Sequence, residues 1–323
     1  MKVSKADYQD KDDGLHPYNT EDYYEWWYLD AQFDSGYSCA LAFHYRTLYL
    51  KPHIPSIQIH IYGQDGKSHV GMRSVDQNVC SASEDHCNVQ LGTNFIRQDG
   101  DVYKVSMHTR RLGADLTLKR TLPGWKPLGT GLLYKGQDNG VQGWIIALPR
   151  ADVEGTLYIE GESVKVKGNR GYHDHNWGTT YMHDCFSGWY WARLYDSKYT
   201  LIYGWVYPAN KSDAAISRLY MAKDNNPILE PDQFELIEKE MEHDAKSGKS
   251  FAKSLSLVRQ EGEVKLRCNI DVKSTVDRYE LPSTTNWPQY YWRFLADYNT
   301  EIEMNNLFDK ISGVTIQECM ILR

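Results

Sequence analysis

The sequence predicts an all-β protein assembled from two antiparallel β-domains. Three observations lead there. Short runs of alternating apolar and polar residues recur along most of the chain, separated by clusters of Gly, Asp and Asn. An aromatic hairpin motif occurs twice, about 160 residues apart. The composition is rich in Tyr (24) and Trp (10) within 323 residues, and large aromatic side chains fit the pleated surface of a strand.

The strand-like runs cover residues 57–62, 103–108, 115–119, 156–159 and 163–167. Asp65-Gly66, Asp99-Gly100 and Gly161-Glu162 fall between such runs and read as hairpin turns. One stretch has helical spacing instead. Residues 230–249 carry Pro231 near their start and apolar residues at Phe234, Ile237 and Met241, which predicts a short helix in the second half.

The repeat begins at Glu25-Trp26-Trp27-Tyr28-Leu29-Asp30, passes a Ser/Gly turn and continues through Tyr37-Ser38-Cys39-Ala40-Leu41-Ala42-Phe43. It returns as Gly188-Trp189-Tyr190-Trp191-Ala192-Arg193, an Asp/Ser turn, and Tyr199-Thr200-Leu201-Ile202-Tyr203-Gly204-Trp205. Each copy is an aromatic strand, a tight turn and an apolar strand. Two domains of similar design follow, with a boundary near 181–186.

Composition narrows the function. Lys and Arg number 36 against 43 Asp and Glu, a net charge of −7 with no basic tract, so nucleic acid is not an expected partner. The longest apolar stretches, 143–148 and 201–207, have the length of strands. A bilayer-spanning helix needs about 20 apolar residues, so no transmembrane segment is expected. Residues 1–14 are charged and polar and lack an apolar leader, which points to a cytoplasmic protein. The six cysteines form no CxxC pair and read as buried thiols. Cys80 and Cys87 flank a polar loop and are the one pair placed for a bridge. No phosphate-binding P-loop, no GxGxxG opening a helix and no GxSxG elbow is present, which disfavours nucleotide-dependent chemistry.

The densest polar-aromatic segment is Gly171-Tyr172-His173-Asp174-His175-Asn176-Trp177-Gly178, followed by His183 and Asp184. If it is extended, His173, His175 and Trp177 share one face, and Tyr172, Asp174 and Asn176 share the other. Three readings stand side by side. His173 and His175 offer a metal two imidazoles, with His183 or Asp184 as a third ligand. Alternatively, Asp174 and Asn176 hydrogen-bond turn amides at the domain junction. In the third reading Asp174 or His175 donates a proton, with Trp177 beside the developing positive charge. Glu25, next to two indoles, would have a raised pKa if buried alone, or would pair with an Arg. Trp26 or Trp27 suits a barrel plug packed on an Arg, with Arg193 the equivalent partner in the second half. His44, His60 and His108 stand alone in strand-like runs and read as satisfied structural groups.

Taken in order, Glu25-Trp26-Trp27-Tyr28, Trp125-Lys126-Pro127-Leu128-Gly129, Pro149-Arg150-Ala151-Asp152-Val153-Glu154-Gly155, the 171–178 segment and Trp189-Tyr190-Trp191-Ala192-Arg193 resemble the carotenoid 1,2-hydratase (hydroxyneurosporene synthase-like) family. Its superfamily includes lipocalin-like Diels–Alderases and hydratases of prenylated phenolics. The resemblance implies two lipocalin-like antiparallel β-barrel domains packed together, residues 1–183 and 184–323. It implies cofactor-free chemistry, without a metal, on a large hydrophobic polyene or isoprenoid, either proton-initiated hydration or cyclisation of a C=C bond. A shape-templated pericyclic closure and simple carriage of an apolar ligand are the alternatives. On this reading Asp174 and His175 are the catalytic candidates. Glu25, Trp26, His173, Trp177, Trp189, Trp191 and Tyr203 are the substrate-binding candidates.

Overall fold

The computed structural model describes residues 8–47, 53–136, 140–229, 234–260, 263–281 and 289–322. The chain divides between Tyr181 and Met182 into two compact units, each with its own antiparallel sheet; one of the sheets is a half-barrel.

The first unit contains β1 (Tyr24–Gln32), β2 (Ser38–Arg46), β3 (Ser56–Tyr62), β4 (Ser68–Ser74), β5 (Cys80–Ala82) and β6 (Asn88–Leu91). It continues with β7 (Asn94–Asp99), β8 (Val102–His108), β9 (Leu112–Arg120), β10 (Leu132–Lys135), β11 (Val141–Ile159) and β12 (Glu162–Gly178). The sheet order is β4-β3-β2-β1-β12-β11-β9-β8-β7-β6-β5, with β10 paired to β11. The last strand therefore returns to pair with the first, and β1 and β12 lie at the middle of the sheet. All five strand runs read from the first half of the sequence lie in these strands. Gly66 and Gly100 supply the positive φ that their hairpin turns require. The β11–β12 turn is centred on Glu160 (φ 51°) and Gly161 (φ 96°), one residue earlier than the Gly161-Glu162 reading, so Glu162 already belongs to β12.

The second unit opens with α1 (Met182–Cys185) and runs through β13 (Phe186–Tyr195), β14 (Tyr199–Pro208), β15 (Ile216–Lys223), β16 (Asn226–Leu229) and β17 (Glu235–Asp244). It ends with β18 (Lys249–Arg259), β19 (Val264–Leu281), β20 (Gln289–Met304) and β21 (Leu307–Ile321). Its order, β16-β15-β14-β13-β21-β20-β19-β18-β17, repeats the same plan. The two copies of the aromatic hairpin are β1/β2 and β13/β14, at matching places in the two sheets.

The helix expected over 230–249 is not formed. Residues 230–233 lie outside the described residues, and from Glu235 onward the chain is an edge strand paired with β18. The helical spacing misleads because its residues do not share a buried face. Phe234 is buried in the core of this unit, whereas Met241 is 55% exposed. Pairing with β18, which buries Phe251, Ala252, Leu255 and Leu257, overrides local propensity. Among the described residues the only α-helix is the single turn α1.

Each unit has its own hydrophobic cluster. Trp27, Leu29, Phe43, Ile59, Leu118 and Ile145 belong to the first, and Leu194, Tyr203, Leu255, Ile270, Trp292 and Phe294 to the second. All six cysteines are free thiols, so Cys80 and Cys87 form no bridge. Among the described residues no helix is long and apolar enough to cross a membrane.

Candidate active site

Strand β12 pairs with β1 on one side and β11 on the other, with Trp27 opposite His175 and Tyr28 opposite Asp174. Strand alternation then sorts the 171–178 segment into two environments. His173, His175 and Trp177 point into the unit with Trp27 and Glu25. Tyr172, Asp174 and Asn176 share the other face with Tyr28 and Trp144.

The inner face holds a fully buried charged network. Asp13 ends a 3-10 turn, Asp10–Asp13, that inserts against β12. Its Oδ2 accepts hydrogen bonds from His173 Nε2 (3.0 Å) and Tyr103 OH (3.0 Å), and its carbonyl accepts one from Trp27 Nε1 (3.0 Å). His173 Nδ1 lies 2.7 Å from the Tyr28 carbonyl. Both ring nitrogens thus face acceptors, an arrangement only the doubly protonated imidazolium satisfies. Burial opposes that charge, but Asp13 wins and holds the His173 pKa above its ordinary value. Burial likewise works against the Asp13 carboxylate, and His173, His175 and Tyr103 bring its pKa below the usual range.

Glu25 sits beside this pair. Its Oε1 accepts from His175 Nε2 (2.7 Å), the His16 backbone N–H (2.9 Å) and His16 Nδ1 (3.2 Å); its Oε2 accepts from Tyr23 OH. The sequence suggested a raised pKa or an Arg partner. Burial does push upward, but the hydrogen bonds and charge of His16 and His175 prevail, so the pKa is lowered and the partners are histidines. His175 itself is shifted down, because burial outweighs the attraction of Glu25. Its ring stacks on Trp27 at 4.1 Å, and Trp177 stacks on His16 at 3.7 Å with planes 7° apart.

The outer face is built around Asp174, a carboxyl only 6% exposed. Its Oδ2 accepts from Tyr172 OH (2.8 Å) and Trp144 Nε1 (3.0 Å), and its Oδ1 from Asn176 Nδ2 (2.8 Å). Trp144 reaches it because β11 pairs Trp144 with Asn176. Trp125 supports Trp144 edge-on at 5.7 Å and exchanges backbone hydrogen bonds with Ile146. Lys126, from the same motif, pairs with Asp12 at 2.8 Å. Half-buried Trp26 and Tyr28 continue this face along β1; Tyr28 OH donates to buried Asp30 at 2.9 Å.

The structure thus separates the candidate residues. Glu25, His173, His175 and Trp177 are gathered in the inner network, and Asp174 and Trp26 lie on the outer face. Trp189, Trp191 and Tyr203 belong to the second unit. There Trp189 is half-buried, Trp191 is buried, and Tyr203 is inside the core against Phe234. Arg193 lies over the ring of Tyr195. His183 pairs with its neighbour Asp184 at 3.4 Å. The sequence reading missed Trp144 as a partner of Asp174, because the two meet only across a strand pair 30 residues apart. It also missed Asp13 and His16, which sit in a polar, aperiodic segment; only their proximity in the fold discloses them.

Comparison with known proteins places these features. Residues 10–293 match the family model described as AttH-like. The chain is 29% identical over 216 residues to the hydroxyneurosporene dehydrogenase of Chlorobaculum tepidum, a match covering 56% of each, so the chain spans about half the length of that curated relative. In fold it is similar to an AttH crystal structure from Nitrosomonas europaea, with TM-score 0.68, 17% identity, and coverage of 97% of this chain and 96% of that one. It is also similar to kievitone hydratase from Nectria haematococca, with TM-score 0.64, 14% identity, and coverage of 92% and 88%. With a family model spanning most of its length and both sheets in place, the chain belongs to the AttH-like family.

Proposed function

We propose that this protein is an enzyme that adds water to a C=C bond of a large hydrophobic isoprenoid or polyene, with the carboxyl of Asp174 as proton donor. The observation that supports this reading is the surroundings of Asp174: a nearly buried acid with three side-chain donors aimed at its two oxygens. An unactivated alkene is a very weak base, so its protonation needs a strong acid held out of water. Hydrogen bonds to the carboxylate left behind stabilise the product of proton transfer.

The step balances simply. The Asp174 proton forms a new C–H bond at the less substituted alkene carbon, leaving a tertiary cation at the other. The faces of Trp26, Tyr28 and Trp144 are the nearby π-surfaces, each worth about 0.5–2 kcal/mol to a cation. A water molecule adds, and its surplus proton returns to the Asp174 carboxylate. Capture by an internal alkene instead of water would give a cyclic cation, which loses a neighbouring proton to the Asp174 carboxylate to leave a ring with a new C=C bond. The fold similarity to a hydratase and the sequence similarity to a protein of hydroxyneurosporene metabolism support this substrate class.

Asp174→Asn tests the proposal, because it keeps the shape and removes the proton. Turnover of an acyclic carotenoid should fall about 10²- to 10⁴-fold, while substrate binding, followed by tryptophan quenching, is retained. Full turnover in the variant would leave the pericyclic reading. Binding with release of unchanged ligand by the wild-type protein would leave the carrier reading.

A further inference from the structure

His16 Nδ1, Glu25 Oε1 and His175 Nε2 converge within 4.8 Å of one another, on the face of β12 opposite Asp174. Two imidazoles and one carboxylate form a donor set suited to a borderline transition-metal cation of the Zn²⁺ class; Mg²⁺ and Ca²⁺ favour oxygen cages. We infer that this trio is a transition-metal site, independent of the Asp174 chemistry, that pins the segment carrying His16 to the centre of the sheet.

A second observation points the same way. His175 Nδ1 and Asp13 Oδ1 are both buried, both lack a hydrogen-bond partner, and lie 3.6 Å apart. In the metal-free contact Nε2 carries the proton that meets Glu25; a bound ion would replace that proton, His175 would keep its proton on Nδ1, pointing at Asp13, and Nε2 would present a lone pair to the ion. A carboxylate that orients the far nitrogen of a ligating imidazole is the usual support of a metal-bound histidine. Protein ligands sit roughly 2 Å from such an ion, so binding would spread the 2.7 Å His175–Glu25 contact by about 0.5 Å.

The trio borders the surface through His16. The His16 side chain is 25% exposed and lines an open surface pocket of about 450 Å³ together with Asp12, Tyr18 and Glu84. The neighbouring group Asp13, Cys87 and His173 does not border the surface: all three are fully buried, and both His173 nitrogens already face acceptors.

The test is calorimetric titration of chelator-stripped, full-length protein with Zn²⁺, backed by Co²⁺ absorption. Wild type should bind one equivalent. His16→Ala and Glu25→Gln should each weaken binding at least tenfold, and Asp13→Asn about 10- to 100-fold, while His243→Ala, at an exposed strand position, should have no effect. His16 is partly exposed in a loop, so its variant decides the question if a buried substitution unfolds the protein by near-UV circular dichroism. No saturable binding by the wild type, or binding unchanged by His16→Ala, would overturn the inference. So would binding lost on Cys87→Ser but kept by His16→Ala.

Discussion

Each of the three donors on Asp174 stabilises its carboxylate form, so removing one should show in the rate. Trp144→Phe keeps the ring and deletes the Nε1–H; Tyr172→Phe keeps the ring and deletes the hydroxyl. A hydrogen bond to a charged group contributes about 1.5–3 kcal/mol, so each variant should lower kcat roughly 10- to 100-fold with KM little changed. Steady-state kinetics on the same carotenoid checks this; a loss confined to KM would make these residues substrate contacts. A second residue-scale expectation concerns His44, fully enclosed on β2. Burial depresses its pKa to about 4, outweighing a hydrogen bond from Gln58. In the unfolded chain it protonates near 6.5, so below that pH the unfolded state binds more protons than the folded one. The stability supplied by neutral His44 is complete above about pH 6.5 and is lost as pH falls toward 4, in all about 3 kcal/mol. Urea unfolding at pH 7 and pH 4 should show a smaller loss in His44→Phe than in the wild type. Equal losses would contradict the assignment.

Among the elements, β11 and β12 are held together at their ends by a side chain lying across a bare backbone. Trp177 covers Gly143, its cross-strand partner; a Cβ on residue 143 would meet the indole at 2.1 Å. His16 also stacks on this indole at 3.7 Å, which restricts its movement. Gly143→Ala should therefore cost about 1–3 kcal/mol by overpacking, read as a lower urea midpoint with unchanged m-value. A neutral result would mean the indole is free to move. Strands such as β3, β8 and β9 were legible in the sequence, because a half-buried strand writes its environment as alternation. β17 was not: as an edge strand it buries little, and its apolar residues fall by chance at helical spacing. The two faces of β12 were legible as sets but not as inside and outside. That choice depends on what β1 and β11 bring alongside, namely Trp27 and Glu25 within and Trp144 without.

Over the whole molecule, the duplicated hairpin gave the plan: in each unit the last strand closes onto the first, so the repeat lies inside both sheets, away from their edges. The inner network was hidden because it depends on long closures, with Asp13 meeting His173 across 160 residues and Glu25 meeting His175 across 150. Nothing periodic marks such partners in a linear sequence. The two proposals then concern opposite faces of one strand. The inner face ties down the segment before β1, and the outer face presents a single supported carboxyl, the feature on which the proposed activity depends.

Turnover in deuterium oxide tests that activity most directly. Purified protein is incubated with an acyclic carotenoid bearing a terminal isopropylidene group, and the product is examined by mass spectrometry and NMR. The account predicts a tertiary alcohol heavier by one water, with one deuterium fixed on the carbon next to the alcohol carbon, and almost none of it with Asp174→Asn. An unchanged substrate, or the same deuterated alcohol formed at the wild-type rate by Asp174→Asn, would contradict it.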